Sequence, residues 1–180
     1  DESKRFDLKS FKALGGAYAV ADLAKDFILK GGKVEDYVVT TATDGNHGRS
    51  VAWGAKLAGC KAKIYIHAHV SKSRETAMQE LGAEVIKING NYEASLSACK
   101  SDAEKNGWYI VSDTSWEGYT GIPRQVMAGY SVIATECISQ LKATNLSHAF
   151  LPVGVGGLAG GITAPFLHLM ENKLFKVISV

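Results

Sequence analysis

A chain of 180 residues, 46% of them hydrophobic, can bury a real core and suits one ordinary domain or two small lobes. Its 20 basic and 18 acidic residues leave a net charge of +2 and are mixed along the chain. With no basic block and no aromatic-basic alternation, nucleic acid and anionic membrane are excluded as expected partners. Nineteen glycines against three prolines point to tight strand-to-helix turns rather than disorder.

In chain order, Val20, Leu23, Ala24, Phe27 and Ile28 follow helical spacing after Lys12, and Gly31-Gly32 stops that helix. An alternation of strand and helix comes next. Strands are predicted over 37–42, 63–68, 83–89 and 108–112, with helices over 48–58, from Ser71 as cap to Leu81, and over 92–106. Pro123 is expected as the first helical residue of a segment reaching about Leu141. Strand 149–153, a glycine run, a helix to Met170 and a strand over 175–180 complete the pattern.

Strands joined by helices of this length call for parallel sheets, with helices on both faces. The class is therefore α/β with two lobes. Residues 34–120 form a smaller lobe; 1–33 and 121–180 belong to a larger one, whose last two strands are too few for a sheet of their own and leave it incomplete in this chain. Between Lys142 and Glu171 no formal charge occurs, but five glycines and two prolines make that run a buried strand-turn-helix rather than a membrane span.

Cys60, Cys99 and Cys137 are widely spaced and read as free thiols of a reducing, cytoplasmic compartment. No signal peptide is visible and the chain does not begin with Met, which reads as a processed or excised piece. His67 and His69 share a strand face and could ligate a metal, but no third ligand is apparent, so they are read as surface histidines. Trp53, Trp108 and Trp116 are read as packing residues, with Trp116 a candidate wall of the cleft.

Three stretches have the composition of a site. In Ser10-Phe11-Lys12-Ala13-Leu14-Gly15-Gly16 a lysine stands among apolar neighbours. Such a side chain either reaches to water or keeps its amine neutral, and a neutral amine is a nucleophile for carbonyl groups. The loop Thr41-Ala42-Thr43-Asp44-Gly45-Asn46-His47-Gly48 joins a buried strand to a helix. Ligands of open α/β sheets bind beyond the carboxyl ends of the strands, and helix N-termini attract anions, so the amides of 43–47 are candidates for a phosphate or carboxylate. A cap needs only Asp44 or Asn46; Thr, Asp, Asn and His together exceed that need.

In the run 154–161, Gly154, Gly156 and Gly157 lack the Cβ atoms that would keep a phosphate from the backbone amides. A nicotinamide fingerprint is the rival there, but it needs an acidic residue about 20 positions on, where the chain ends. Asp113 follows the fourth strand, where a turn or cap role is the plain alternative.

Taken together, Arg5-Phe6 with Ser10-Phe11-Lys12, Thr43-Asp44-Gly45-Asn46-His47-Gly48, Asp113-Thr114 with Trp116-Glu117-Gly118-Tyr119-Thr120, and Gly154-Val155-Gly156-Gly157-Leu158 resemble the fold type II, tryptophan synthase β-like pyridoxal-phosphate enzymes. Within that group the chain is most similar to the diaminopropionate ammonia-lyases, over essentially its whole length, and looks like an internal segment of one. The resemblance implies a homodimer acting on a small amino acid, with pyridoxal 5'-phosphate held covalently by Lys12. It implies a hydrogen bond from Asn46 to the cofactor's phenolic oxygen and phosphate binding by Gly154, Val155, Gly156, Gly157 and Leu158, Val155 interrupting the usual glycines.

Substrate carboxylate would bind at Thr43, Asp44, Gly45 and His47. Lys12 and Asp44 would take the Cα proton of the L and D isomers, and Asp113 would assist proton transfer or hold the β-ammonium. The implied reaction is α,β-elimination of 2,3-diaminopropionate to pyruvate and ammonia. The alternatives are a serine or threonine dehydratase, or an inactive segment that binds a small anion or a partner chain.

Overall fold

Strand β1 (Val38–Ala42) is buried along nearly its whole length and pairs on both sides. An all-apolar or β-branched run suits such a position, since a central parallel strand is covered on both faces. In the computed structural model, which describes residues 2–6, 8–141, 146–169 and 175–180, the chain divides into two units, Asp1–Ser112 and Asp113–Val180.

The first unit holds a four-stranded parallel sheet, ordered β3 (Glu84–Ile88), β2 (Lys61–His67), β1, β4 (Tyr109–Ile110). The β1–β2 register pairs Val38 with Lys61 and Ala42 with Tyr65. Side chains alternate across a strand, so Ile64 and Tyr65 face opposite ways. Ala42 and Tyr65 cluster with Cys99, Leu96 and Tyr92 of helix α4 (Tyr92–Asn106). On the other face, a side chain at Gly48 of helix α2 (Asn46–Ala58) would meet Ile64 Cγ2 at 3.1 Å. Helices thus cover both faces, as expected. Helix α3 (Lys72–Gln79) links β2 to β3, with Met78 buried beneath it.

Helix α1 (Lys12–Leu29) buries Ala13, Gly16, Ala17, Val20 and Ala24, the small and apolar residues at helical spacing, and packs chiefly on α2. Their approach is close: a Cβ on Gly54 would stand 2.7 Å from the Cα of Ala17. The segment 1–33, expected with the larger lobe, therefore groups in this structure with the sheet unit, and the boundary expected near 120 falls after Ser112.

In the second unit, α5 (Gly121–Gln140) packs on α6 (Gly157–Leu169), and β5 (His148–Leu151) pairs in parallel with β6 (Lys176–Ser179). Ala134, Leu151, Ile162 and Phe166 form its core, with Phe175 stacked on Phe166 at 5.2 Å between centroids. The two strands thus do form a sheet of their own.

Several boundaries differ from the sequence expectation for physical reasons. Strand β4 is a two-residue ladder, because only Tyr109 and Ile110 find partners on β1, although Val111 N–H still donates to Thr40 O at 2.8 Å. Pro123 is the third helical residue of α5, not the first; the opening turn of a helix has amides without intrahelical acceptors, so the missing N–H costs nothing there. Ser71 holds the N-cap position of α3 but its hydroxyl pairs with Ser73 at 3.1 Å rather than with a backbone amide. The expected end of α6 at Met170 lies outside the described residues. No helix among the described residues is long and apolar enough to cross a membrane.

Candidate active site

Lys12 is the first residue of α1, half-buried, with its Nζ 5.6 Å from the centroid of the Phe11 ring. Its backbone N–H donates to Ser10 Oγ at 3.3 Å. The chain reaches it through Phe6 and Lys9, both left-handed (φ 57° and 53°), a conformation that costs energy in a residue with a Cβ. Phe6 packs in a tilted arrangement against Trp53 of α2, with ring centroids 4.9 Å apart, which ties this approach to the neighbouring helix.

The start of α2 is fixed to the start of α1 by small residues. A Cβ at Gly16, about one turn into α1, would run into Ser50 Oγ and stand 3.5 Å from His47 Cε1. The lysine and the Asp44-Gly45-Asn46-His47 loop therefore belong to two helices that begin side by side.

Inside that loop the side chain doing the capping is Thr43. Its Oγ1 accepts from Gly45 N–H at 3.0 Å and Gly48 N–H at 3.1 Å, while Thr43 N–H donates to Tyr65 O at 3.0 Å. Gly45 holds the N-cap position without a side-chain cap, so neither Asp44 nor Asn46 is the cap that the plainer sequence reading allowed. The expected anion-binding set narrows accordingly. The amides of Thr43 and Gly45 are used within the fold, whereas among the described residues those of Asp44 and Asn46 have no acceptor. Asn46 is exposed and His47 buried, its Nε2 2.8 Å from Val111 O at the end of β4.

Asp44 has a 60% exposed side chain, yet it is held from two elements. Its Oδ1 lies 3.0 Å from His67 Nε2, and Arg74 Nη1 of α3 donates to its carbonyl at 3.0 Å. Sequence reasoning missed both neighbours, having weighed His67 only as a metal ligand or surface residue. The signal was the register: Ala42 pairs with Tyr65, so Asp44 and His67 each stand two residues past the same rung. Among the described residues no group of three His, Cys, Asp or Glu could hold a metal ion.

In the second unit Asp113 is half-buried. Tyr130 of α5 is fully buried, and burial, with a smaller contribution from the Asp113 carboxylate, pushes its hydroxyl well above the usual tyrosine range. A Cβ at Gly157 would touch Tyr130 Cε2 at 3.7 Å and Asp113 O at 3.9 Å, which brings these three residues together. Trp116 stacks flat on Tyr119 at 4.0 Å, closing the loop after Asp113 on itself. Gly154 and Val155 are exposed, Gly156 is left-handed (φ 84°), and Gly157 opens the 13-residue helix α6 with Leu158 behind it. At 154 and 156 a Cβ would meet nothing within 4 Å, so space for an anion exists beside this turn.

A parallel sheet whose strand ends carry a polar loop into a helix N-terminus, with an amine at the start of the adjoining helix, is the architecture of a ligand-binding α/β protein. The chain belongs to the pyridoxal-phosphate dependent enzyme family, whose model matches residues 1–180. It is 41% identical over 175 residues to diaminopropionate ammonia-lyase of Escherichia coli strain K12, covering 90% of this chain and 44% of that protein. The diaminopropionate ammonia-lyase of Salmonella typhimurium is 37% identical over 199 residues, 100% of this chain and 49% of its own length. The crystal structure of the Escherichia coli enzyme in complex with D-serine superposes with a TM-score of 0.92 at 38% identity, covering 99% of this chain and 49% of that one. The chain spans about half the length of these relatives.

Proposed function

We propose that the protein is a pyridoxal-phosphate-dependent lyase that eliminates ammonia from 2,3-diaminopropionate to give pyruvate and a second ammonia. The observation that carries this reading is Asp44: an exposed carboxylate on a hydrogen-bonded loop, at the start of a helix that adjoins the one opened by Lys12. A carboxylate so close to a site for a substrate's acid group repels it unless it acts as a base or meets a second amine, and 2,3-diaminopropionate supplies both a Cα proton and a β-ammonium. Similarity to the diaminopropionate ammonia-lyases points the same way.

The donor groups suit pyridoxal 5'-phosphate. A primary amine matches its aldehyde, the exposed Asn46 amide its phenolic oxygen, and the turn Gly154, Val155, Gly156, Gly157 and Leu158, with open space at 154 and 156, its phosphate. When bound, the cofactor supplies an electron sink for the carbanion at Cα. Lys12 Nζ holds it and takes the Cα proton of the L isomer, while Asp44 takes that of the D isomer. The amides of Asp44 and Asn46, with Thr43, Gly45 and His47 shaping the loop, receive the substrate carboxylate. Asp113 assists proton transfer or holds the β-ammonium.

In the whole protein, residues 1–33 and 121–180 are proposed to belong to the larger lobe and 34–120 to the smaller. A cytoplasmic homodimer is the proposed state. The test is pyruvate and ammonia release by the full-length protein from D- and L-2,3-diaminopropionate and from serine. Lys12→Ala is expected to leave the protein nearly inactive on the L isomer, since a positioned base contributes about 10²–10⁴-fold, and to weaken turnover of both isomers through loss of the amine that holds the cofactor. Asp44→Asn is expected to lose D turnover and keep part of the L activity. Preference for serine would replace the reading with a dehydratase.

A further inference from the structure

We propose that His67 is a positioning residue for Asp44, its neutral imidazole holding one carboxylate oxygen so that the other is left to take the substrate proton. This rests on Asp44 being the base proposed above. The first observation is the contact itself, Nε2 to Oδ1 at 3.0 Å. The second fixes its direction. His67 Nδ1 accepts the backbone N–H of His69 at 3.2 Å, and a ring nitrogen that accepts an N–H carries no proton. The proton of the neutral ring therefore sits on Nε2, which donates to Asp44.

The ring is also anchored. His67 is the last residue of β2, in register with Ile88 of β3, and its side chain is 17% exposed against 60% for Asp44. The partially buried partner thus orients the exposed one. Around this pair stand Arg74 from α3, whose Nη1 donates to the Asp44 carbonyl, and His69, whose ring centroid is 5.8 Å from that of His67. Arg74 fixes the peptide and His67 the carboxylate, so backbone and side chain of Asp44 are held independently. An exposed pair of this kind adds little to stability. Its consequence is orientation: with Oδ1 engaged, Oδ2 is the oxygen available to a proton.

The experiment uses the full-length holoenzyme with both isomers of 2,3-diaminopropionate, and histidine-labelled protein for nitrogen-detected NMR. His67→Phe keeps an aromatic ring but no donor; it is expected to lower kcat on the D isomer by about two- to fivefold, the range of an exposed polar pair. KM and L turnover should stay unchanged. His67→Gln, which restores an N–H donor, should recover the D rate. The NMR spectrum of the parent protein should show His67 as the Nε2–H tautomer, with that signal moved by Asp44→Ala. An Nδ1–H tautomer, equal losses on both isomers, or an unaltered D rate in His67→Phe beside a D-defective Asp44→Asn would each overturn the role of His67. Asp44→Asn that loses both isomers alike would overturn the base assignment and the positioning role with it, whatever the tautomer.

Discussion

Gly54→Ala separates packing from helix propensity in one measurement. On propensity alone the change should stabilise α2 by about 1 kcal/mol, since glycine is the poorest ordinary helix former. The structure predicts the opposite sign. The new Cβ would lie 2.7 Å from Ala17 Cα and 3.1 Å from both its Cβ and its carbonyl oxygen. Carbon atoms pack comfortably at about 3.5–4.0 Å, so the gap must open by roughly 1 Å, and backbone cannot swing aside as a side-chain tip would. Overpacking costs about 1–3 kcal/mol. Set against the propensity gain, the net effect is destabilisation by up to about 2 kcal/mol, or a Tm lower by up to about 10 °C for a unit of this size.

Thermal unfolding of the full-length protein followed by calorimetry reads this directly. Gly121→Ala serves as the control, because a Cβ there meets nothing within 4 Å and the residue opens α5; its Tm should hold or rise slightly. The separation of α1 from α2 should also lower turnover, since Lys12 and Asn46 begin these two helices. A Gly54→Ala protein that melts higher than the parent would refute the close approach.

Thr43→Val keeps the shape of the side chain but strips the acceptor for Gly45 and Gly48; it should cost about 1–3 kcal/mol in denaturant unfolding and raise KM. Burial, opposed in part by the Thr40 hydroxyl, pushes the Cys99 thiol from 9.0 up to about 11. Between those values the unfolded chain sheds a proton that the fold keeps, so the stabilisation is fully present below pH 9 and lost as pH rises toward 11. Urea titrations across that range should show a slope that Cys99→Ala reduces, Cys60, also pushed up to about 11 by burial, supplying a share of the remainder. Asn91 accepts from Ala94 N–H at the start of α4, and Asn91→Ala should cost about 1 kcal/mol in the same assay.

The alternation of elements was legible because buried parallel strands are short apolar runs and glycines mark where they stop; Gly59 and Gly107 end α2 and α4 in the left-handed conformation. What stayed hidden depended on pairing. Nothing local makes β4 two residues long, since its length is set by β1. The candidate residues Lys12, Asp44 and Asn46 stood out by composition, but their supports did not. Thr43 as the cap, Arg74 on the Asp44 carbonyl and His67 on its carboxylate all come from tertiary placement, with the last separated from Asp44 by a whole helix and most of a strand.

The distribution of buried polar groups explains why this end of the sheet can serve as a platform. Of the buried polar residues described, all but Ser95 belong to β1, the loop after it, the first half of α2, or the residue closing the first unit: Thr40, Thr41, Thr43, His47, Ser50 and Ser112. Burying such groups is costly unless each is hydrogen-bonded. Here Thr40 Oγ1 donates to Lys63 O at 2.8 Å, Ser50 Oγ to His47 O at 2.8 Å, and Thr43 Oγ1 accepts two amides. An apolar filling would have sealed the same space without fixing the peptide planes. The polar network ties the loop to β2, β4 and its own helix at once, and connected networks in a low-dielectric interior rigidify what they join. The two side chains that emerge from it into solvent are those of Asp44 and Asn46. A buried, hydrogen-bonded polar base beneath an exposed acid and amide is what the proposed role of Asp44 as a proton acceptor calls for.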